Sequence, residues 1–238
     1  MTFVRACRLF RPLVVATFAV ALPFAAVSGV SADIDVSFAR GRWNPADFVS
    51  VKSWRWPHMG TFKQVDDAIV NVLPGPSPEE VFRTMNATSY AALLHSRRFS
   101  LGCTVSARMA WDYRMAPIIV LAPDLGRSAT GAPEFRDHWE VCLYDEGINV
   151  WHHFFEDGVQ KWRKSASLAL PKDRLFKANE IHDLSVKLAR TRKGDREMTV
   201  TCGGYTLTCV DARFPETFYA GVIGCEGRNW FYDFRVKP

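Results

Sequence analysis

The chain has no CxxC pair and no cysteine–histidine cluster at zinc-ligand spacing, which excludes a thioredoxin-like redox motif and a zinc ribbon. It also lacks a GxSxG elbow and a P-loop, so serine-hydrolase and nucleotide-triphosphate chemistry have no sequence support. No internal repeat, block of like charge or low-complexity linker occurs. Strong charge is missing as well. Of 30 basic residues, Arg5, Arg8 and Arg11 fall in the first 32 positions, leaving 27 basic against 25 acidic residues in the rest. A nearly neutral body carries no electrostatic footprint for nucleic acid. With 48% hydrophobic, 23% charged and 13% aromatic residues, the composition is globular, and disordered or collagen-like readings are out.

What is present begins with an address. Arginines occupy Met1–Pro12, Leu13–Val27 is almost wholly apolar, and Val30-Ser31-Ala32 supplies small residues for a peptidase. This is the order of a secretory signal. The apolar core is shorter than the ~20 residues a spanning helix needs, and Pro23 interrupts it. The expected product is a secreted, periplasmic or extracellular domain of 206 residues, 33–238, with no transmembrane segment after signal cleavage. Five cysteines remain in it, an odd number that leaves at least one thiol unpaired within the chain. Cys202 and Cys209 flank Gly203-Gly204-Tyr205-Thr206 and are a candidate disulfide across a hairpin, with buried free thiols as the alternative. Asn86-Ala87-Thr88 matches a glycosylation acceptor.

The body reads as strands. Pro74–Pro78 is a loop, and the segment 78–85 after Ser77 is the one helix candidate, capped by Ser77 with Glu79 and Glu80 at its positive end. Elsewhere apolar and polar residues alternate. Cys103–Tyr113 places Val105, Ala107, Met109 and Trp111 on one face, with Arg108 and Asp112 on the other. Met115–Ala122 is continuously apolar, as in a strand buried on both faces. In His138–Phe155, a Glu146-Gly147 turn would pair Val141 with His152 and Glu140 with His153. Trp139, Val141, Leu143, Ile148 and Val150 then form a core face. His138, Glu140, Cys142, Tyr144, Asn149, Trp151 and His153 share the other. Strands over His182–Ala189, Met198–Cys202, Phe218–Gly224 and Trp230–Val236 close an all-β, two-sheet antiparallel sandwich.

The closing order resembles the concanavalin A-like lectin/glucanase superfamily, with its laminin G-like jelly rolls. It comprises Leu184–Leu188, a charged turn at Arg192–Asp195, Thr199–Gly204, the small-residue strand Ala220–Gly224 and the aromatic tail Tyr232–Val236. The likeness spans roughly 47–238. It implies a jelly roll whose concave sheet face holds a polysaccharide or other glycan, with calcium a candidate ion, although no Asp-rich loop is present. The hydrolases of the superfamily place three carboxylates on one strand as Glu-x-Asp-x-Glu. Here the matching strand reads Glu140-Val-Cys142-Leu-Tyr144 and keeps one of them. The lyases use His, Tyr, Arg and Gln, and their strand motifs are matched only by a partial echo at Phe218–Gly221.

Candidate catalytic groups are Glu140 and His153 as an acid/base pair, with Arg108 as charge partner. Candidate substrate-binding residues are Trp151, as a stacking platform for sugar rings, and Tyr144, His138 and Asp112. The Trp54, Trp56 and His58 cluster and Gln64–Asp67 are further groove candidates, whereas Trp162 and Trp230 fall elsewhere. A polysaccharide lyase, a glycoside hydrolase and a non-catalytic sugar-binding module remain open. So does an envelope-associated structural or protein-interaction sandwich.

Overall fold

The computed structural model describes residues 33–72, 90–112 and 116–238. The expected leader 1–32, the 78–85 helix candidate and the glycosylation-acceptor match lie outside these residues. Strands, numbered in chain order, form two large sheets. The nine-stranded sheet holds β1 (Ile34–Ser37), β3 (Phe62–Val65), β4 (Ala68–Asn71), β6 (Thr104–Trp111), β13 (His182–Arg190), β14 (Arg196–Cys202), β15 (Tyr205–Val210), β17 (Asn229–Phe231) and β18 (Asp233–Lys237). The seven-stranded sheet runs in the order β12 (Val159–Ala169), β11 (Gly147–Glu156), β10 (His138–Tyr144), β7 (Pro117–Ala122), β16 (Thr217–Gly224), β5 (Ala91–Ser100) and β2 (Phe48–Val51). A small hairpin, β8 (Leu125–Arg127) and β9 (Pro133–Phe135), lies apart. All strand pairings are antiparallel, and the two sheets make the expected sandwich. Among the described residues, no helix is long and apolar enough to cross a membrane.

Period-two alternation decides what each sheet buries. Trp139, Val141, Leu143, Ile148 and Val150 point inward from the seven-stranded sheet. They meet Val105, Ala107, Met109, Leu184, Val186 and Val200 from the nine-stranded one. Strand β7 is buried throughout, as its unbroken apolar run requires. Its outer face lies in a second apolar cluster with Val51, Tyr90, Leu94 and Phe135. That cluster exists because the 52–60 segment and the β8–β9 hairpin fold over part of the sheet. Lys52 joins them, exchanging backbone hydrogen bonds with Pro133 and Phe135 and pairing its Nζ with Glu134 at 2.9 Å.

Two expectations change. The β10–β11 turn is Asp145-Glu146, and Tyr144 pairs with Gly147, so the register is shifted by two from a Glu146-Gly147 turn. The reason is local: a Cβ on Gly147 would lie 1.9 Å from the Leu168 carbonyl oxygen, so this glycine is needed inside the ladder with β12. A two-residue shift keeps every side chain on its face, so the face assignments stand. The Cys202–Cys209 disulfide does not form. Cys202 pairs with Tyr205 and Cys209 with Met198, a separation of about 14 Å along the strands, and all five described cysteines are free.

Candidate functional site

On the outer face of the seven-stranded sheet, β10 and β11 set Glu140 opposite Trp151 and His138 opposite His153. Glu140 touches His153 diagonally, Oε2 lying 3.2 Å from Nε2. Its other oxygen, Oε1, accepts from the Tyr90 hydroxyl at 2.6 Å and lies 3.3 Å from His138 Nε2 and 3.8 Å from the Arg55 guanidinium. The Glu140 side chain is only 4% exposed. Burial alone would raise its pKa, but His153 and His138 outweigh burial and hold the carboxyl well below the ordinary range. Burial and then Glu140 push the Tyr90 hydroxyl well up, so it stays a neutral donor. Burial also pushes the His138 imidazole down, against the pull of Glu140. His138 is sandwiched between the rings of Phe135 and His153, with centroids 4.4 and 4.8 Å away.

Arg55 is delivered by the 52–60 segment. A turn in which the Ser53 hydroxyl accepts from the Arg55 amide holds it, and its guanidinium lies 5.5 Å from the centre of the Tyr90 ring. It lines a cavity of about 190 Å³ with Glu140, Cys142, Trp151, His153, Trp162, Cys225 and Glu226. A second cavity of about 370 Å³ adjoins it, sharing Ala116, Cys142 and Trp151 and reaching Tyr144, Asp145 and Asn149. Together they form a groove along β10, with Glu140 in its floor.

His138, Glu140 and His153 bring three donor atoms within 4.8 Å of one another, close enough for a small divalent ion. The ring planes argue against that use. The imidazoles lie within 9° of parallel, so their in-plane nitrogen lone pairs run side by side rather than converging on one point. They address different oxygens of one carboxylate, which suits two hydrogen bonds.

The structure therefore brings together Glu140, His153, His138, Trp151 and Tyr144. It does not bring Arg108 or Asp112. Arg108 sits on the outer face of the nine-stranded sheet, where its Nε donates to Asp233 at 2.5 Å and braces β18 against β6. Asp112 accepts from the Arg228 amide and Nε at 3.1 and 2.6 Å, buttressing the turn after β16. Gln64 is likewise structural, tying Trp43, Phe38 and Ala68 together on the nine-stranded sheet. Trp54 packs on Phe155, and Trp56 joins the outer apolar cluster.

Sequence reasoning missed Arg55, Tyr90, Glu226 and Trp162. The first three come from segments remote in sequence. Trp162 is hidden by a bulge: β12 slips by one residue between Ala166 and Lys164, and the slip carries Trp162 beside His153.

No family model and no curated protein sequence matches the chain. Solved structures do resemble it. The carbohydrate-binding module CBM66 from Bacillus subtilis is 10% identical, with a TM-score of 0.53 over 81% of this chain and 96% of that one. A beta-glucanase from Bacillus licheniformis is 10% identical, with a TM-score of 0.52 over 88% and 99%. The exoplasmic/lumenal domain of VIP36, in its Ca2+/Man3GlcNAc-bound form, is 8% identical, with a TM-score of 0.51 over 85% and 86%. At such identities the likeness is one of architecture, and the chain has the concanavalin A-like lectin/glucanase fold.

Proposed function

We propose that the groove binds an acidic polysaccharide and cleaves it by β-elimination. The observation that carries this reading is the engagement of Glu140. Both its oxygens are taken up by Tyr90, His138, Arg55 and His153, so it offers no free nucleophile. Beside it the cavity is lined by a guanidinium, an imidazole and one further carboxyl, Glu226, so hydrolysis lacks the second free carboxylate it needs. Hydrolysis at an anomeric carbon passes through an oxocarbenium-like, positively charged transition state, which a guanidinium opposes. Removing a proton from the carbon next to a carboxylate builds negative charge, which a guanidinium stabilises.

The geometry supports the following roles. Arg55 neutralises the uronate carboxylate. His153 takes the proton from the adjacent carbon: Glu140 fixes Nε2 as the donor nitrogen, leaving the lone pair on Nδ1. Nδ1 has no partner among the described residues and is covered in the free chain, so substrate has to displace the side chains over it. The carbon–hydrogen electron pair forms a double bond as the neighbouring carbon–oxygen bond breaks, and the departing oxygen takes up a proton. Trp151 and the 59% exposed Trp162 offer flat apolar faces for sugar rings.

The test is incubation of the purified chain with uronate-containing and neutral polysaccharides. New reducing ends and the ultraviolet absorbance of unsaturated products are followed together. Both should rise on an acidic polymer, and both should be lost in Arg55→Gln and His153→Asn. Reducing ends without absorbance would replace elimination with hydrolysis. Silence, with retention on immobilised polysaccharide that Trp151→Ala abolishes, would make the chain a binding module.

A further inference from the structure

We infer that Glu226 is the acid of this groove, the group that hands a proton to the departing glycosidic oxygen. This rests on the elimination reading above. Glu226 lines the same cavity as Arg55, Glu140 and His153, yet reaches it from a different element, the turn between β16 and β17. It is the second carboxylate of that cavity, and among the described residues no hydrogen bond or ion pair engages its side chain as the histidines, Tyr90 and Arg55 engage Glu140.

The backbone beneath it says that glutamate is there for its side chain. Glu226 has φ +53° and Gly227 has φ +98°, two successive left-handed residues as in a tight hairpin turn. Glycine, asparagine or aspartate suits the first such position, and a longer side chain is strained there. Nor can the turn relax. The buried Asn229 side chain accepts from the Cys225 amide at 2.7 Å, and Asn71 donates to the Gly227 carbonyl at 2.8 Å. Asp112 clamps Arg228 from the other side. A rigid turn built for a small residue but carrying a glutamate that lines the groove is a local rule broken where function would break it.

Protonation agrees with the role. Burial pushes the Glu226 carboxyl up, and Arg55 only partly restores it. The titratable groups sharing its cavity are Arg55 from the 52–60 segment, Glu140 and Cys142 from β10, His153 from β11, and Cys225 beside it. Two carboxylates are displaced in opposite directions in one cavity, Glu140 down and Glu226 up, and the upward displacement is the direction a proton donor needs. In the step, His153 gains the proton removed from carbon. The carbon–oxygen bond breaks, its electron pair stays on oxygen, and oxygen takes the Glu226 proton. The resulting Glu226 carboxylate and His153 imidazolium reset by exchange with water.

The experiment uses Glu226→Gln and Glu226→Gly in the full chain, with an acidic polysaccharide the parent cleaves. A synthetic uronate whose leaving group is a nitrophenolate, needing no proton to depart, is assayed alongside. Glu226→Gln should lose on the order of 100-fold in kcat on the polymer, lose the alkaline limb of the pH profile and keep near-parental turnover of the activated substrate. Glu226→Gly should show the same kinetic pattern while melting no lower than the parent, because it relieves the left-handed strain. Full polymer turnover in Glu226→Gln, or equal losses on both substrates, would overturn the assignment and leave the elimination reading intact. A parent inactive on every acidic polymer would overturn both.

Discussion

The cluster around Glu140 makes a quantitative demand on stability. In Glu140→Leu the Tyr90 hydroxyl, donating at 2.6 Å, loses its acceptor. The imidazoles of His138 and His153, at 3.3 and 3.2 Å, lose their anion, and Arg55 loses its counter-charge at 3.8 Å. Removing one partner of a buried ionic cluster costs about 3–5 kcal/mol. In a domain of this size each kcal/mol moves Tm by roughly 2–4 °C, so Glu140→Leu should melt about 6–20 °C below the parent. Glu140→Gln keeps the volume and one acceptor oxygen but loses the charge. Hydrogen bonds to charged groups contribute about 1.5–3 kcal/mol, so a loss in that range is expected. Tyr90→Phe should cost about 1–3 kcal/mol. The double variant should fall short of the sum, because the two groups share one bond.

The assay is urea unfolding of the parent, the three single variants and the Glu140→Gln, Tyr90→Phe double variant at neutral pH, followed by tryptophan fluorescence. A Glu140→Gln variant within about 0.5 kcal/mol of the parent would refute the reasoning, since that is the scale of an ordinary surface substitution. A complementary result would separate stability from function. Replacing Tyr90, His138, Glu140 and His153 together with apolar residues should be far less costly than Glu140→Leu, because apolar packing often matches a buried ionic cluster.

Acid lability should come in two stages. His138 is lowered from 6.5 and Glu140 well below 4.5. Each therefore contributes stability that is present above its ordinary value and lost as pH falls through its folded one. Tm measured against pH should begin to drop below about 6.5 and drop further below about 4.5, and Glu140→Gln should remove the lower stage; a flat profile from neutral to pH 4 would contradict the His138 placement. Trp162→Ala should leave stability within about 0.5 kcal/mol while weakening polysaccharide binding about three- to tenfold. Unchanged binding would remove Trp162 from the groove wall. Exhaustive chelation should leave turnover unchanged; a loss restored by zinc would place an ion among His138, Glu140 and His153 and refute the parallel-ring argument.

How much of this was legible in the sequence depended on how far each contact reaches along the chain. Alternation gave the faces of β10 and β11, so Glu140, His138, Tyr144, Trp151 and His153 could be grouped even with the register wrong by two. The same alternation placed Arg108 on a polar face, but polar faces of the two sheets look alike in sequence, and nothing marked which sheet β6 enters. Arg55, Tyr90 and Glu226 arrive from segments separated by tens of residues, brought together by β2, β5 and β16 lying side by side. Only Glu226 carried a local signal: Cys225-Glu226-Gly227-Arg228 sits between a small-residue strand and an aromatic one, where a turn is due and glutamate is a poor turn former.

Water separates the two outer faces chemically. On the nine-stranded sheet, the half-exposed Arg108 and the partly buried Arg235 pair with the buried Asp233, and Arg235 also reaches the exposed Asp183; these carboxylates are already matched by guanidiniums that water can reach. On the seven-stranded sheet, the 52–60 segment and the β8–β9 hairpin bury a second small core and, among the described residues, leave the rest of the face open. Glu140 lies where the two meet. Tyr90, from the covered side, donates to it, and Trp151, from the open side, stands opposite it. The covering segments remove water from one flank of the carboxylate, so its charge acts on His138 and His153 at low effective dielectric. The open flank leaves room for a ligand. A sheet face covered completely would have no access, and one left bare would have only weak, screened charges. The half-covered face supplies both conditions, and for that reason the chemistry is assigned to this groove rather than to the richer display of ion pairs on the opposite side.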